Sequence, residues 1–368
     1  MLPAGQAFPL DPAFWRDRRV LITGHTGFKG SWLVLLLRAL GAHVTGYSLP
    51  APTQPSLFGL AGLDRLPGSG IGDVRDAPLL ENTVHSSHPE IIFHLAAQSL
   101  VRRSLQQPVE TWETNVMGTL YLLEAARRAE VPAVVVVTSD KCYETGVSGR
   151  PFREGDPLGG SDPYSGSKAS VEILVDSWRQ SFFAPSGHVT AVATVRGGNV
   201  LGGGDFAEDR LVPDLVRGAL RGEPVLLRNP GAVRPWQHVL DVLTGYLLLA
   251  ERLHRNRGEY AEAWNFGPSA DDLLTVGEVA QKVGEGWPDF PRRESDSRTH
   301  PRENQWLMLD STRARTRLGW VPRWTVEESI SRTVRWYRNW AEGGGSGAAA
   351  VDSTRADFHD FGVPGDPF

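Results

Sequence analysis

Short apolar runs alternate with longer helical segments over the first two hundred residues. The runs lie at residues 19–22, 43–47, 91–95, 133–138 and 188–196; the helical segments lie at 31–40, 112–129 and 164–183. The run 133–138, "AVVVVT", is continuous and β-branched, as suits a strand buried on both faces of a parallel sheet. Gly41 stops the helix at 31–40. Strands alternating with helices predict an α/β fold built on a doubly wound parallel sheet. After about residue 200 the pattern weakens and Gly and Pro rise, which predicts a smaller C-terminal α/β domain over 201–342. Within it, residues 237–253 form a strong helix expected to pack back on the first domain, residues 1–200. Residues 343–368 begin "GGGSGAAA" and read as a flexible tail.

Composition narrows the function classes. The 368 residues are 40% hydrophobic and 22% charged, as in an ordinary globular protein. A net charge of −5 argues against nucleic acid as a partner. Cys142 is the only cysteine, which excludes an intrachain disulfide and a cysteine-based metal site. Charges at Asp11, Arg16, Asp17, Arg18 and Arg19 interrupt any signal core, and runs such as 32–37 are too short to cross a membrane. The expectation is a cytoplasmic protein with no membrane partner and no metal.

The first strand runs into "LITGHTGFKGSWL", with Gly24, Gly27 and Gly30 between two apolar segments. Glycines at a strand-to-helix turn let backbone approach a ligand closely. The helix that follows offers free N–H groups and its positive dipole end to a pyrophosphate. The spacing is G-x-x-G-x-x-G, so the motif reads as a dinucleotide site or as a plain glycine turn. Asp73, in "IGDVRD", follows a third strand, where it can meet an adenine edge or simply serve a turn. Residues 47–52 contain neither an acid for a ribose hydroxyl nor an arginine for a 2′-phosphate, which leaves NAD and NADP open.

Catalytic chemistry gathers in two further stretches. "YSGSK" puts Tyr164 and Lys168 on one helical face. A phenol has a pKa of about 10; a nearby ammonium and an oxidised nicotinamide both favour the phenolate. Tyr164 can then take a proton from a sugar hydroxyl. "VVVVTSDKCYE" ends a buried strand, where such folds place their ligands, and there Ser139 offers a hydroxyl. Asp140 and Lys141 are either a solvated ion pair or a second acid–base pair. Loss of water needs both an acid and a base, and Asp140 can be the acid if burial raises its pKa.

Taken together, "GHTGFKGSWL", "HLAAQSLVRRS", "TSDKCYE", "DPYSGSK", "GGNVLGGGDFAEDRLVPD", "RPWQHVLDVLTGYL" and "LDSTRARTRLGWVPRW" resemble CDP-glucose 4,6-dehydratases, which are extended short-chain dehydrogenase/reductases with a Rossmann domain. The resemblance covers about residues 12–338 and is most specific at Asp140-Lys141 and "RPWQHVLD". It implies a tightly held NAD that is not consumed. Tyr164, with Ser139 and Lys168, would oxidise the glucose C4 hydroxyl; Lys141 would remove the C5 proton and Asp140 protonate the C6 hydroxyl. It implies that Gly24, Thr26, Gly27, Phe28, Lys29, Gly30, Asp73, Val74, Leu95, Ala96 and Ala97 hold the cofactor beside Tyr164 and Lys168. Gln98, Asn199, Arg210 and Arg234 would meet the nucleotide sugar, the arginines near its pyrophosphate. It further implies a homodimer or higher homo-oligomer, with the helices that begin at Trp112 and Tyr164 making a four-helix dimer interface.

Some positions depart from the family pattern. Ser161 and Gly166 stand where His and Ala are expected, Phe206 where Trp is, and Arg103 where an acid is. "SLVRRSLQQP" has Ser and Leu where Pro and Tyr are common. The changes at Phe206 and Arg103 bear on the fit of the nucleotide or sugar. The rival readings are another nucleotide-sugar 4,6-dehydratase, epimerase or reductase on the same scaffold, of which Asp140-Lys141 disfavours the epimerase, and a non-catalytic NAD-binding regulator, disfavoured by Ser139, Tyr164 and Lys168.

Overall fold

The sheet strands are β1 (Arg19–Thr23), β2 (His43–Ser48), β3 (Ser69–Ile71), β4 (Ile91–His94), β5 (Ala133–Val137), β6 (Ala191–Gly197) and β7 (Ala263–Phe266). In the computed structural model they pair in parallel in the order β3-β2-β1-β4-β5-β6-β7. The structure describes residues 8–144, 150–184, 187–269, 271–287, 290, 293–295 and 306–368. Side chains in β5 alternate between two apolar layers. Val135 and Val137 enter one layer, and Val134 and Val136 the other. With both faces apolar, each strand must be covered twice, which is why the run 133–138 shows no polar alternation.

The principal helices are α1 (Phe28–Ala39), α2 (Ala77–Ser87), α3 (Gly118–Arg128), α4 (Pro163–Trp178), α5 (Leu211–Arg221), α6 (Val239–Arg255), α7 (Val276–Glu285), α8 (Val326–Glu342) and α9 (Gly347–Phe361). α1 and α6 cover one face with α8 and α9 outside them; α2, α3 and α4 cover the other. α6 packs on β5, β6 and α1. The boundary expected at residue 200 therefore divides the sequence and not the sheet, because β7 and α6 both come from beyond it.

Several bounds move for local reasons. The helix expected at 112–129 begins earlier, at Pro108, and runs through a π-type turn, Glu113–Met117, into α3. Residues 188–190 turn into β6, with His188 Nδ1 accepting the Thr190 N–H. Gln237–His238 bridge to Val200–Leu201, so α6 starts at Val239.

The expected flexible tail is corrected outright. Gly344 and Gly345 adopt φ of 69° and 70°, making a tight turn between two helices. Ser346 then caps α9 by accepting the Ala349 N–H. Phe358 packs on Trp32 with ring centroids 5.6 Å apart, and Phe361 on Trp324 at 4.9 Å. The Trp336 indole donates to Thr354 at 3.0 Å. A glycine-rich composition suggested a linker; the apolar spacing that follows it makes a docked helix. Phe358→Ala is expected to cost about 3–5 kcal/mol of stability in denaturant unfolding, whereas a free tail would lose nothing measurable.

Candidate active site

Strand order reverses beside β1, where β2 and β4 pair with it on opposite sides, and the loops after β1 and β4 part there. That is where a doubly wound sheet opens a crevice. A cleft of about 750 Å³ occupies this end of the sheet, lined among others by Gly24, Lys29, Asp140, Tyr164, Lys168 and Arg210.

The glycine turn forms one wall. Gly24 has φ 79°, and a Cβ on it would lie 2.6 Å from Ala96 N. A Cβ on Gly30 would lie 2.1 Å from Gly24 O, so the turn closes only with glycine at both places. Gly27 is the N-cap of α1 without a side-chain cap, and Gly27, Phe28, Lys29 and Gly30 all line the cleft. An uncapped helix start facing a cleft suits a pyrophosphate. Thr26 donates to Leu49 O at 2.9 Å, tying the turn to the end of β2. Asp73, Val74, Leu95, Ala96 and Ala97 continue the same wall. The Asp73 carboxylate is already engaged by Arg75 at 2.6 Å, which holds its pKa below the usual range.

The opposite wall carries the acid–base groups. Backbone pairing of Thr138 N to Val195 O ends β5, and Ser139 caps the short turn Asp140–Cys142 by accepting the Lys141 N–H at 3.2 Å. Ser139 also donates to Asp140 Oδ1 at 3.0 Å. Asp140 Oδ2 is buried without a partner among the described residues. Burial raises the Asp140 pKa, opposed by Lys141, Ser139, Arg234 and Lys29. The acid expected there is thus held toward its protonated form.

α4 starts where "DPYS" dictates: Asp162 accepts the Ser165 N–H at 3.0 Å and Pro163 fills the first turn. Tyr164 and Lys168 then share the face toward the cleft. The lowering expected for Tyr164 is not what the protein's own groups produce. Burial pushes the phenol up to about 12, with a hydrogen bond from Ser139 working against it. Lys168 is itself pushed down to about 7, by burial and then by Lys29, and its Nζ donates to Val137 O at 3.0 Å.

The substrate set divides. Asn199 and Arg210 line the cleft. Arg210 pairs with Asp205 at 2.8 Å and reaches Ser99 Oγ at 3.2 Å. Gln98 lines the cleft too, but its amide is folded onto Leu100 and Thr111, so its N–H groups are used on Leu100 O and on Thr111 Oγ1 in the helix that follows. Arg234 is buried outside the cleft lining, donates to Val233 O at 3.0 Å, and acts on Asp140 through its charge. His94 is a satisfied core histidine between Thr23 and Thr119. Phe206 lines the cleft and packs on Trp340, Tyr337 and Trp336 at 5.0, 5.7 and 6.5 Å. Arg103 pairs with Glu110 at 3.2 Å. Sequence reasoning missed Asp205, which lies four residues after Leu201 in "LGGGD" and anchors Arg210. It also left Lys29 undistinguished among the cofactor residues. Here Lys29 sits close enough to Asp140, Asp205 and Arg210 for each to act on it, and burial brings its pKa down to about 8. Among the described residues no cluster of His, Cys, Asp or Glu could hold a metal, and no helix is long and apolar enough to cross a membrane.

Residues 21–333 match the family model described as GDP-mannose 4,6 dehydratase. The chain is 47% identical over 338 residues to a CDP-glucose 4,6-dehydratase of Salmonella typhimurium, covering 91% of this chain and 94% of that one. A structure of the dTDP-glucose 4,6-dehydratase from Streptomyces venezuelae with NAD bound superposes with TM-score 0.73 at 28% identity, over 90% of this chain and 99% of that one. The Thermus thermophilus UDP-glucose 4-epimerase in complex with NAD gives 0.74 at 28% identity, over 87% and 99%. With a parallel sheet, a glycine turn and a Tyr–Lys helix around one cleft, and with the match running through all of them, the chain belongs to the GDP-mannose 4,6 dehydratase family of extended short-chain dehydrogenase/reductases.

Proposed function

We propose that this chain is an NAD-dependent CDP-glucose 4,6-dehydratase. The observation that carries the reading is Asp140, a buried carboxyl with one partnerless oxygen, in the same cleft as Lys141, Tyr164 and Lys168. A group that must release a proton to a leaving hydroxyl needs to hold it near neutral pH, and burial of Asp140 works in that direction. Similarity to the Salmonella typhimurium enzyme supports the choice of CDP-glucose.

In this reading Gly24, Thr26, Gly27, Phe28, Lys29 and Gly30 hold the pyrophosphate of NAD, and Asp73, Val74, Leu95, Ala96 and Ala97 receive the rest. The bound cofactor supplies an acceptor for hydrogen at C4, a donor to C6, and a positive ring that favours the Tyr164 phenolate. Tyr164 takes the proton of the C4 hydroxyl, with Ser139 beside it and Lys168 fixing the helix. The resulting 4-keto group acidifies C5; Lys141 removes that proton while Asp140 gives its own to the departing C6 oxygen, which leaves as water. Asn199 and Arg210 bind the nucleotide sugar, with Asp205 orienting Arg210. Arg234 acts on Asp140 through its charge, favouring the carboxylate that remains once the proton has been given.

The assembly is a homodimer. Val109, Trp112 and Met117 on the helix leading into α3, with Ile173 on α4 and Phe182 just beyond it, are exposed apolar side chains on two neighbouring helices. A second copy covering them forms a self-complementary interface. Sedimentation should give a dimer for the native chain and a monomer for Trp112→Glu/Ile173→Glu; an unchanged sedimentation coefficient in the variant would place the interface elsewhere.

Purified protein mixed with CDP-glucose should form a 4-keto-6-deoxy sugar without net consumption of NAD. In one-tube competition CDP-glucose should exceed the dTDP, UDP and GDP sugars in kcat/KM. A pocket built on cytosine's amine leaves polar atoms unpaired with thymine, about 1–3 kcal/mol for each buried group, roughly 5- to 150-fold. Preference for dTDP-glucose would remove the cytidine assignment and leave the dehydratase. Lys141→Met should slow turnover by roughly 10²–10⁴-fold and abolish exchange of the C5 proton with solvent, while C4 oxidation still proceeds. Normal C5 exchange in that variant would move the base to another residue.

A further inference from the structure

Tyr164, Lys168 and Glu172 succeed one another at four-residue intervals along α4, and the third of them has no place in the reaction described above. Glu172 is 2% exposed and faces Arg196 of β6, itself 3% exposed, at 2.8 Å. Its two oxygens also accept from Thr138, at the end of β5, and from Thr194 at 2.7 Å. Arg196 reaches the other way. Its Nη1 donates to the Tyr143 hydroxyl at 2.8 Å and to Glu154 O at 2.9 Å, and its guanidinium lies 4.9 Å from the Tyr143 ring centroid. Tyr143 directly follows the turn that carries Asp140 and Lys141, and its hydroxyl donates onward to Asn265 of β7 at 2.7 Å.

Stability is a poor reason to keep such a pair. Burial opposes charge on both groups, and only their mutual attraction with the surrounding hydrogen bonds keeps Glu172 low and Arg196 high. Apolar residues of the same volume commonly serve a core as well or better. What an apolar pair cannot do is fix direction: one guanidinium here holds both α4 and the Asp140–Cys142 turn at set distances. Glu172 also acts by its charge on Lys168.

We propose that Glu172 and Arg196 are positioning residues that hold the Tyr164–Lys168 helix and the Asp140–Lys141 turn at one fixed separation, so that oxidation at C4 and elimination across C5–C6 act on a sugar that does not move between them. This rests on the dehydratase reading. Neither residue touches substrate or gains or loses a proton in the cycle; each acts through the groups it holds.

The test replaces the pair without leaving a lone buried charge. Glu172→Leu/Arg196→Met should keep the Tm of the native protein or raise it, and keep KM for CDP-glucose within about threefold. A displacement of about 1 Å costs on the order of 10²-fold, so kcat should fall by about that factor. The loss should fall on elimination: C5 proton exchange drops with kcat, while enzyme-bound reduced nicotinamide still forms and accumulates. Tyr143→Phe, which keeps the ring but removes the hydroxyl's ties to Arg196 and to Asn265, should show the same partition with a smaller loss, and it decides the matter should the double variant not fold. Native kcat in both variants, or an equal loss of oxidation and elimination, overturns the proposal. Failure of the native protein to make any 4-keto sugar would instead remove the reading beneath it.

Discussion

Desolvation at one end of the parallel sheet governs this protein. Lys29, Asp140, Tyr164, Lys168 and Arg210 meet in a single cleft whose floor is the ends of strands buried on both faces. Away from water, the neutral forms of the ionisable groups gain. Asp140 is raised, Tyr164 stands near 12, Lys168 near 7 and Lys29 near 8, each with burial as the leading cause. A carboxyl shifted toward its protonated form suits a group that must give a proton to a leaving hydroxyl. Arg210 alone is driven the other way, because Asp205 sits against it. It keeps its charge in the cleft and is suited to a permanent anion.

The same cleft explains why α8 and α9 are folded where they are. The segment from Gly202 to Arg210 brings Arg210 to the site, and it is pinned from outside. Trp32 donates to Gly203 O at 3.0 Å, the Tyr337 hydroxyl donates to Asp205 O, and a Cβ on Gly203 would strike the Trp336 ring at 2.0 Å. Phe206 packs on α8 among Trp336, Tyr337 and Trp340. α9 in turn backs α8 through Thr354 and Asp357. The residue at 206 thus serves the seating of the binding loop as much as the cleft it lines, which accounts for an aromatic side chain there.

Much of this was legible in the sequence, for identifiable reasons. The run 133–138 and the glycine turn at 24–30 are dictated by local rules: burial on both faces, and backbone contacts that no Cβ permits. Asp162-Pro163 announces α4, and the four-residue interval puts Tyr164 and Lys168 together. What was not legible depends on distant partners. Gln98 turns inward because Leu100 and Thr111 satisfy it. Arg234 acts on Asp140 from the short antiparallel pairing of Val233–Arg234 with Leu274–Thr275, which no local pattern announces. The direction of the Tyr164 shift depends on how deeply α4 is covered. α9 was misread because three glycines signal either a linker or a sharp turn, and only the docking of Phe358 and Phe361 distinguishes them. The counterpart of Lys168 at Glu172 was open to the same four-residue rule, but its meaning depends on Arg196, twenty-four residues away in another element.

One cleft performs oxidation and reduction on a single sugar, with a dehydration between them. CDP-glucose carrying deuterium at C4 tests this most directly, with the product examined by mass spectrometry and proton NMR. The 4-keto-6-deoxy product should carry that deuterium at C6 of the same sugar, with none released to bulk cofactor. Deuterium found in free reduced nicotinamide, or a product with only solvent hydrogen at C6, would contradict it.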